Sequence, residues 1–425
     1  LLTALNYSYT KVLRKLGNRK NMEKLLFCTA NFKTGRGGIS SYAFDFIEAF
    51  HDKYEIVVVA SGTTEESAVK VHKCNYLDLS IKNAKYLLSI ILEEKPDIIV
   101  NSAFALLALV TPYIDNKVRI VTVSHFVNGR YAWYAGLNGK YIDTIISLSS
   151  FGKKYIDKKF KIHDTAKTQV VFNFMPESSA CFQNKKENSI LKIVYPGGCS
   201  FAKSAEVVCK ALKKLLKTDL QFEFYWLGST KIAGGGKKYI HTNNIEDCLP
   251  KDKRIKHIGP VDRDISKQLL ADANIFLLPS RGEGFPITLI EAMRCGCIPI
   301  VSDAKHGSLD AISNGKNGFV VKQGDAQAII DLLSDIIQHH QNYLFVYNNS
   351  YNYYKQYLTD SVWKAQLSKI IENKAAHFQR AGEFCKIQYL KDRAYLTLLA
   401  NEYWLYDRIT QFYHFVYFRY IRYLL

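Results

Sequence analysis

The chain is predicted to be α/β, with two doubly wound parallel-sheet domains facing a cleft. Two observations carry that expectation. From Lys24 onward the runs KLLFCTANF, EIVVVAS, DIIVNSA, RIVTVSH, TIISLSS and QVVFNF are short and rich in β-formers, with helical stretches such as SSYAFDFIEAF and AKYLLSIILEEK between them. That alternation is the βαβ pattern of a parallel sheet. After Phe174 the segment MPESSACFQNKKENS is polar and carries no period, and a second set of runs follows: LKIVYP, FEFYWLG, IKHIG, NIFLLP, IPIVSD and GFVV. The expected boundaries are 22–175 for the first domain, 176–190 for a linker, 191–352 for the second domain and 353–425 for C-terminal helices with an aromatic amphipathic tail. Residues 1–21 are read as a basic, added or misassigned leader, because Met22 directly precedes the first strand.

Whole-chain properties bound the answer. At 425 residues and 48% hydrophobic content the chain can bury two ordinary cores. Lys and Arg outnumber Asp and Glu by 57 to 39, a net charge of +18, which points to anionic partners. The basic residues follow no nucleic-acid recognition module, so nucleic acid is not expected. Nine cysteines at scattered spacings suit a reducing cytosol rather than a disulfide framework. No stretch offers the ~20 consecutive apolar residues of a membrane-spanning helix.

The most informative segment is residues 274–303, NIFLLPSRGEGFPITLIEAMRCGCIPIVSD. Its apolar start reads as a buried strand that stops at Pro279. A glycine-rich loop follows, carrying Glu283 between Gly282 and Gly284, then Phe285. Pro286 suits the first turn of a helix, and Gly296 suits its end. The start of such a helix offers unpaired N–H groups and partial positive charge, a seat for a diphosphate. Ionised carboxylates only accept hydrogen bonds, so Glu283 and Glu291 suit sugar hydroxyls instead. Glu291 lies five residues past Pro286, roughly 7–8 Å along the axis. That offset can separate a ribose contact from a contact to a second sugar.

E-G-F-P-x-x-x-x-E, followed by A-M-x-x-G and a strand, resembles the E-x7-E motif of retaining glycosyltransferases of family 4. Trp226-Leu227-Gly228, Ile258-Gly259 and Asn314-Gly315-Lys316-Asn317-Gly318-Phe319-Val320 resemble further turns of that family. The resemblance implies the GT-B fold of two Rossmann-like domains and a nucleotide-diphosphate sugar as donor, with no metal or cofactor. It gives Glu283 the transferred sugar, Glu291 the ribose, and His125, at the end of IVTVSH, the sugar's far edge. In the segment YPGGCSFAK, Lys203 matches the lysine of the family's glycine–arginine–x4–lysine phosphate motif, while Gly198 stands at the arginine. Either the backbone of the Gly197-Gly198 turn compensates, or Arg281 or another base reaches in, or activity is reduced. The turn Gly35-Arg36-Gly37-Gly38 resembles the first-domain loop that approaches the donor phosphate. Ser61-Gly62 stands where a nicotinamide-binding domain would carry an acid, which argues against that cofactor.

Asp262-Arg263-Asp264 has the form of a metal-binding D-x-D, but Asp264 reads more simply as the N-cap of ISKQLLADA. Asn173 suits a hinge as well as a ligand contact. The tail NEYWLYDRITQFYHFVYFRYIRYLL places Asn401, Arg408, Gln411, Arg419 and Arg422 on one helical face. Its aromatics and arginines suit a membrane interface. Self-association or cover for the first domain are the other readings. Two basic clusters, Lys11 to Lys20 and Lys153 to Lys161, add attraction to acidic lipid.

The expected function is transfer of a sugar to a glycan or lipid-linked acceptor in cell-surface polysaccharide or lipopolysaccharide synthesis. The expected place is the cytoplasmic face of the membrane, held peripherally. The alternative is a catalytically weak sugar-nucleotide-binding scaffold of a glycan-assembly complex, motivated by Gly198.

Overall fold

A computed structural model describes residues 22–33, 38–63, 69–127, 129–164, 166–177, 190–229, 249–373, 380 and 383–399. They form two compact units. Among these residues the first unit runs to Leu148, adds Gly152–Val171 and resumes at Gln366; the second holds Ser149–Phe151 and Phe172–Ala365.

The first unit is a seven-stranded sheet whose paired strands are all parallel, in the order β3-β2-β1-β4-β5-β6-β7. Its strands are β1 (Lys24–Phe32), β2 (Glu55–Thr63), β3 (Lys70–Lys73), β4 (Ile98–Ser102), β5 (Arg119–Ser124), β6 (Thr144–Ser147) and β7 (Thr168–Val170). Six of them fall on the apolar runs read from sequence. The exception is the edge strand β3, KVHK, which has no apolar run to betray it because one side faces solvent. Leu26, Val57, Ile99, Ile120 and Ile145 are buried in this unit's core with the helix Ile81–Glu94.

The second unit is a six-stranded parallel sheet in the order β10-β9-β8-β11-β12-β13. Its strands are β8 (Leu191–Tyr195), β9 (Phe222–Leu227), β10 (Ile255–Gly259), β11 (Ile275–Leu278), β12 (Ile298–Ser302) and β13 (Phe319–Val321). All six coincide with expected runs. Ile193, Phe224, Leu277 and Ile300 are buried in this unit's core with the helices Ala205–Leu215 and Ala326–Gln338.

The D-x-D reading needs a correction. Asp262, not Asp264, caps the helix Arg263–Asp272, its carboxylate accepting the N–H of Ile265 at 2.9 Å. Asp264 lies within the first turn, where its charge suits the positive end of the helix dipole.

Among the described residues no helix is long and apolar enough to cross a membrane. Helix 386–399 packs on the first unit through buried Tyr389, Leu396 and Leu399, and the Tyr389 hydroxyl donates to the carbonyl of Leu79 at 3.0 Å. This helix thus belongs to the first unit's core, while the tail NEYWLYDRITQFYHFVYFRYIRYLL lies outside the described residues. Arg380, buried, donates to the carbonyls of Asp115, Val118 and Tyr141 at 2.7, 2.8 and 2.9 Å. Asn401, Arg408, Gln411, Arg419, Arg422 and the cluster Lys11 to Lys20 lie outside the described residues. Of the second basic cluster, Lys153 is engaged by Asp157 at 3.1 Å.

Candidate active site

Each sheet reverses its strand order between its first and fourth strands, at β1/β4 and at β8/β11. Open parallel sheets bind ligands at the carboxyl ends of the strands at such a reversal. In the second unit the two loops that flank the reversal are the ones after β8 and β11. They carry Gly197, Gly198 and Lys203 on one side and Glu283, Gly284, Phe285 and Pro286 on the other.

The loop after β8 is fastened to the end of β9. The Gly198 N–H donates to Leu227 at 2.9 Å and the Cys199 N–H to Ser229 at 3.0 Å. Beneath it lies the buried ring of Tyr195, whose hydroxyl donates to the Lys203 carbonyl at 3.0 Å. Gly198 has φ +52°, and a Cβ there would stand 3.2 Å from the backbone nitrogen of Ser229. An L side chain pays steric energy in that left-handed region. The family's arginine is therefore not simply deleted at this position, because the turn itself is built around glycine.

Lys203 ends a short 3-10 turn, Phe201–Lys203, and its ammonium forms an ion pair with the carboxylate of Glu283. The side chain of Glu283 is only 12% exposed and that of Lys203 29%, so the pair is partly shielded from water. The two loops are also clipped together by Arg281. Its backbone N–H donates to Ala202 at 2.8 Å, and its guanidinium donates to Ser204 Oγ at 3.1 Å and pairs with Glu206. Arg281, expected as a substitute cation for the diphosphate, is thus engaged by the helix Ala205–Leu215. Ser204 itself is a buried non-glycine residue at φ +58°, a strained position held by this network.

The loop after β11 is braced from three directions. The Gly307 N–H donates to the Gly284 carbonyl at 2.9 Å, and a Cβ on Gly307 would collide with that same oxygen. Phe285 is buried and stacked on Phe172, with centroids 4.6 Å apart and planes at 16°. Asn173 donates its side-chain N–H to the Phe285 carbonyl at 2.8 Å. Asn173 thus braces the loop from the segment after β7.

Pro286 occupies the capping position before the helix Ile287–Arg294, one residue earlier than the first-turn place expected for it. The helix closes with the Gly296 N–H on Met293 and the Cys297 N–H on Ala292, both at 2.9 Å. That pair of bonds is a Schellman ending, as the glycine suggested. In the first turn of this helix the Leu289 N–H donates to the Pro286 carbonyl at 3.1 Å, while the N–H groups of Ile287 and Thr288 precede the first helical carbonyl they could bond. Glu291 is half-buried on this helix, and Arg294, one turn further, is buried. Burial lowers the Arg294 pKa, opposed by Tyr354 and by the Glu291 carboxylate.

His306 escaped the sequence reading. It is fully buried, with Nε2 3.2 Å from Ser302 Oγ and Nδ1 accepting the Ser308 N–H at 3.2 Å. Burial pushes its pKa down to about 4, so the ring is neutral at physiological pH. The Ser302 hydroxyl in turn donates to the Ser280 carbonyl, at the root of the Glu283 loop. The only sequence signal is a histidine four residues beyond a strand end, which is too weak to single out.

In the first unit His125 directly follows β5, as expected, with Nε2 2.8 Å from Ser102 Oγ at the end of β4. Its ring meets Tyr42 edge-on at 5.0 Å, and burial lowers its pKa to about 4. Gly38 begins the helix Gly38–Phe50, while Gly37 lies outside the described residues.

Two family models match this chain. One, described as Glycosyltransferase Family 4, covers residues 36–178; the other, Glycosyl transferases group 1, covers residues 179–353. A glycosyltransferase of amylovoran biosynthesis, AmsK from Erwinia amylovora, is 30% identical over 35% of this chain and 36% of its own length. The chain thus spans about a third of that relative. An uncharacterized glycosyltransferase of Haemophilus influenzae is 24% identical over 76% of this chain and 93% of its own length. Among solved structures, Anabaena Alr3699/HepE in complex with UDP superposes with a TM-score of 0.66 at 17% identity, covering 81% of this chain and 98% of that one. That likeness is one of fold. The two family matches meet end to end on the two sheets described above, and the chain belongs to the family 4, group 1 glycosyltransferases with the GT-B architecture.

Proposed function

We propose that the protein is a retaining, metal-independent glycosyltransferase that moves a hexosyl group from a nucleotide-diphosphate sugar to a glycan or lipid-linked acceptor. The observation that carries this reading is the Lys203–Glu283 pair at the strand-order reversal of the second unit, with Glu291 on the helix that leaves the same loop. In this reading Lys203, the backbone of the Gly197-Gly198 turn and the helix start after Pro286 attract the diphosphate. Glu291 accepts from the ribose hydroxyls and Glu283 from those of the transferred sugar. Gly284 and Phe285 hold the loop that presents them. His125, neutral and at the carboxyl edge of the first unit's sheet, is a candidate hydrogen-bonding group for a ligand hydroxyl, and Gly37 and Gly38 are candidate phosphate contacts.

Retention requires attack on the face from which the leaving group departs. The acceptor oxygen bonds to the anomeric carbon as the carbon–phosphate-oxygen bond breaks, and the acceptor's proton passes to the departing phosphate. This step is drawn from the family resemblance. The name of the amylovoran relative supports a role in cell-surface polysaccharide synthesis, and the UDP in the Anabaena structure supports a nucleotide donor. The excess of basic residues supports an acidic lipid surface as the place of work, on the cytoplasmic face of the membrane.

The test is transfer of radiolabelled sugar from a panel of sugar nucleotides. Glu291→Ala is expected to lower kcat/KM about 10- to 100-fold, as for a lost charge-assisted hydrogen bond. Unchanged turnover in that variant defeats the assignment. Tight nucleotide binding without turnover over a broad acceptor panel selects the scaffold reading instead.

A further inference from the structure

The geometry points to Glu283 as the residue that makes this site prefer the intact donor over the spent nucleotide, by competing with the diphosphate for Lys203. The inference rests on the proposed function and extends it to product release. Lys203 and Glu283 are bonded to each other in this structure. Their assigned ligands differ: the ammonium is to meet phosphate, and the carboxylate is to meet sugar hydroxyls. A nucleotide sugar satisfies both, because its hydroxyls replace Lys203 as partners of Glu283. A nucleoside diphosphate satisfies only the lysine. It leaves Glu283 without a donor and sets a terminal phosphate, more highly charged than in the donor, near a second anion.

The carboxylate has little freedom to avoid this conflict. The backbone around it is fixed by the Gly307–Gly284 bond and by the Phe172–Phe285 stack. Its distance from the Lys203 loop is fixed by Arg281, through Ala202, Ser204 and Glu206. Once the sugar has left, Glu283 regains a charged partner by taking Lys203 back. That return weakens the hold on the diphosphate and favours its departure.

The test measures dissociation constants of UDP and UDP-glucose, GDP and GDP-mannose, and ADP and ADP-glucose on the full chain. The wild type is compared with Glu283→Gln and Glu283→Asp. Glu283→Gln removes the competing charge while keeping a hydrogen-bonding side chain of the same size. It is expected to bind the preferred diphosphate about tenfold tighter, the scale of one charge-assisted contact, without tightening the sugar nucleotide. Glu283→Asp keeps the charge and is expected to hold the wild-type preference for the sugar nucleotide, which separates charge from folding defects. Equal tightening of both ligands in Glu283→Gln, or an unchanged diphosphate affinity, overturns this inference and leaves the proposed function standing. Failure of every nucleotide to bind the wild type overturns both.

Discussion

The two units share the order of their first, fourth and fifth strands, and the histidines that lie one and four residues beyond those fifth strands are used differently. Each sheet has its first and fourth strands side by side and its fifth strand next to the fourth. A histidine follows the fifth strand in each: His125 after β5 and His306 after β12. Both stand near a serine hydroxyl, both are shifted to about 4 by burial, and both are neutral at physiological pH. His125 nevertheless keeps part of its surface open, whereas His306 is sealed beneath the Glu283 loop. One can meet a ligand at the sheet edge. The other is a post under the loop that carries Glu283, so a histidine beyond the fifth strand has no fixed role.

The largest expected effect lies at the Lys203–Glu283 ion pair of the second unit. Lys203→Met should lower kcat/KM by about 10²–10³, the scale of removing one preorganised charge from a developing anion. Steady-state transfer assays would decide it, and a change below threefold would place the diphosphate elsewhere.

The histidines come next, because the comparison assigns them opposite costs. His306→Ala should destabilise the fold by roughly 2–4 kcal/mol through a cavity and orphaned polar neighbours. His125→Ala should cost about 1 kcal/mol or less, the net worth of one hydrogen bond. Urea unfolding of the full chain checks both, and equal losses would erase the distinction.

Acid provides a milder version of the same test. The folded His306 pKa is depressed from 6.5 to about 4, so between those values the unfolded chain binds the extra proton. Stability is then whole above pH 6.5 and falls by up to about 3 kcal/mol as pH drops to 4. His125 carries the same depressed pKa, so His306→Gln should remove about half of the total slope in a pH series of melting curves. A slope unchanged by the substitution would assign it to other groups.

The smallest effect concerns the turn after β8. Restoring the family's arginine with Gly198→Arg should cost about 1–2 kcal/mol in backbone strain and bring no gain in turnover. A rise in activity would show that the glycine is a lost side chain after all.

Most sheet strands were legible because buried parallel strands are apolar on both faces, and twelve of the thirteen described strands coincide with the runs read from sequence, the partly exposed edge strand β10 among them. The edge strand β3 is the exception, being polar and short. The acids of the candidate site were legible for a related reason. Glu283 and Glu291 sit in a loop and helix whose glycine and proline punctuation is itself a local signal.

What sequence could not reveal were relations between residues far apart along the chain. Asp262 and Asp264 competed for one cap, and only the backbone geometry chose Asp262. Arg281 was a free candidate for phosphate until Glu206, 75 positions away, was found beside it. Arg380 reaches carbonyls more than 230 positions earlier, a clamp that no local pattern announces.

By itself the sequence determined the two sheets, twelve of the thirteen described strands and the loop and helix on which Glu283 and Glu291 sit, since periodicity, turn chemistry and burial act over a few neighbouring residues. The tertiary structure alone decided which charge pairs with which, that His306 is a support, and that Gly198 belongs to a turn closed against β9. Ion pairs and close backbone approaches depend on distances that chain connectivity leaves free until the sheet has formed.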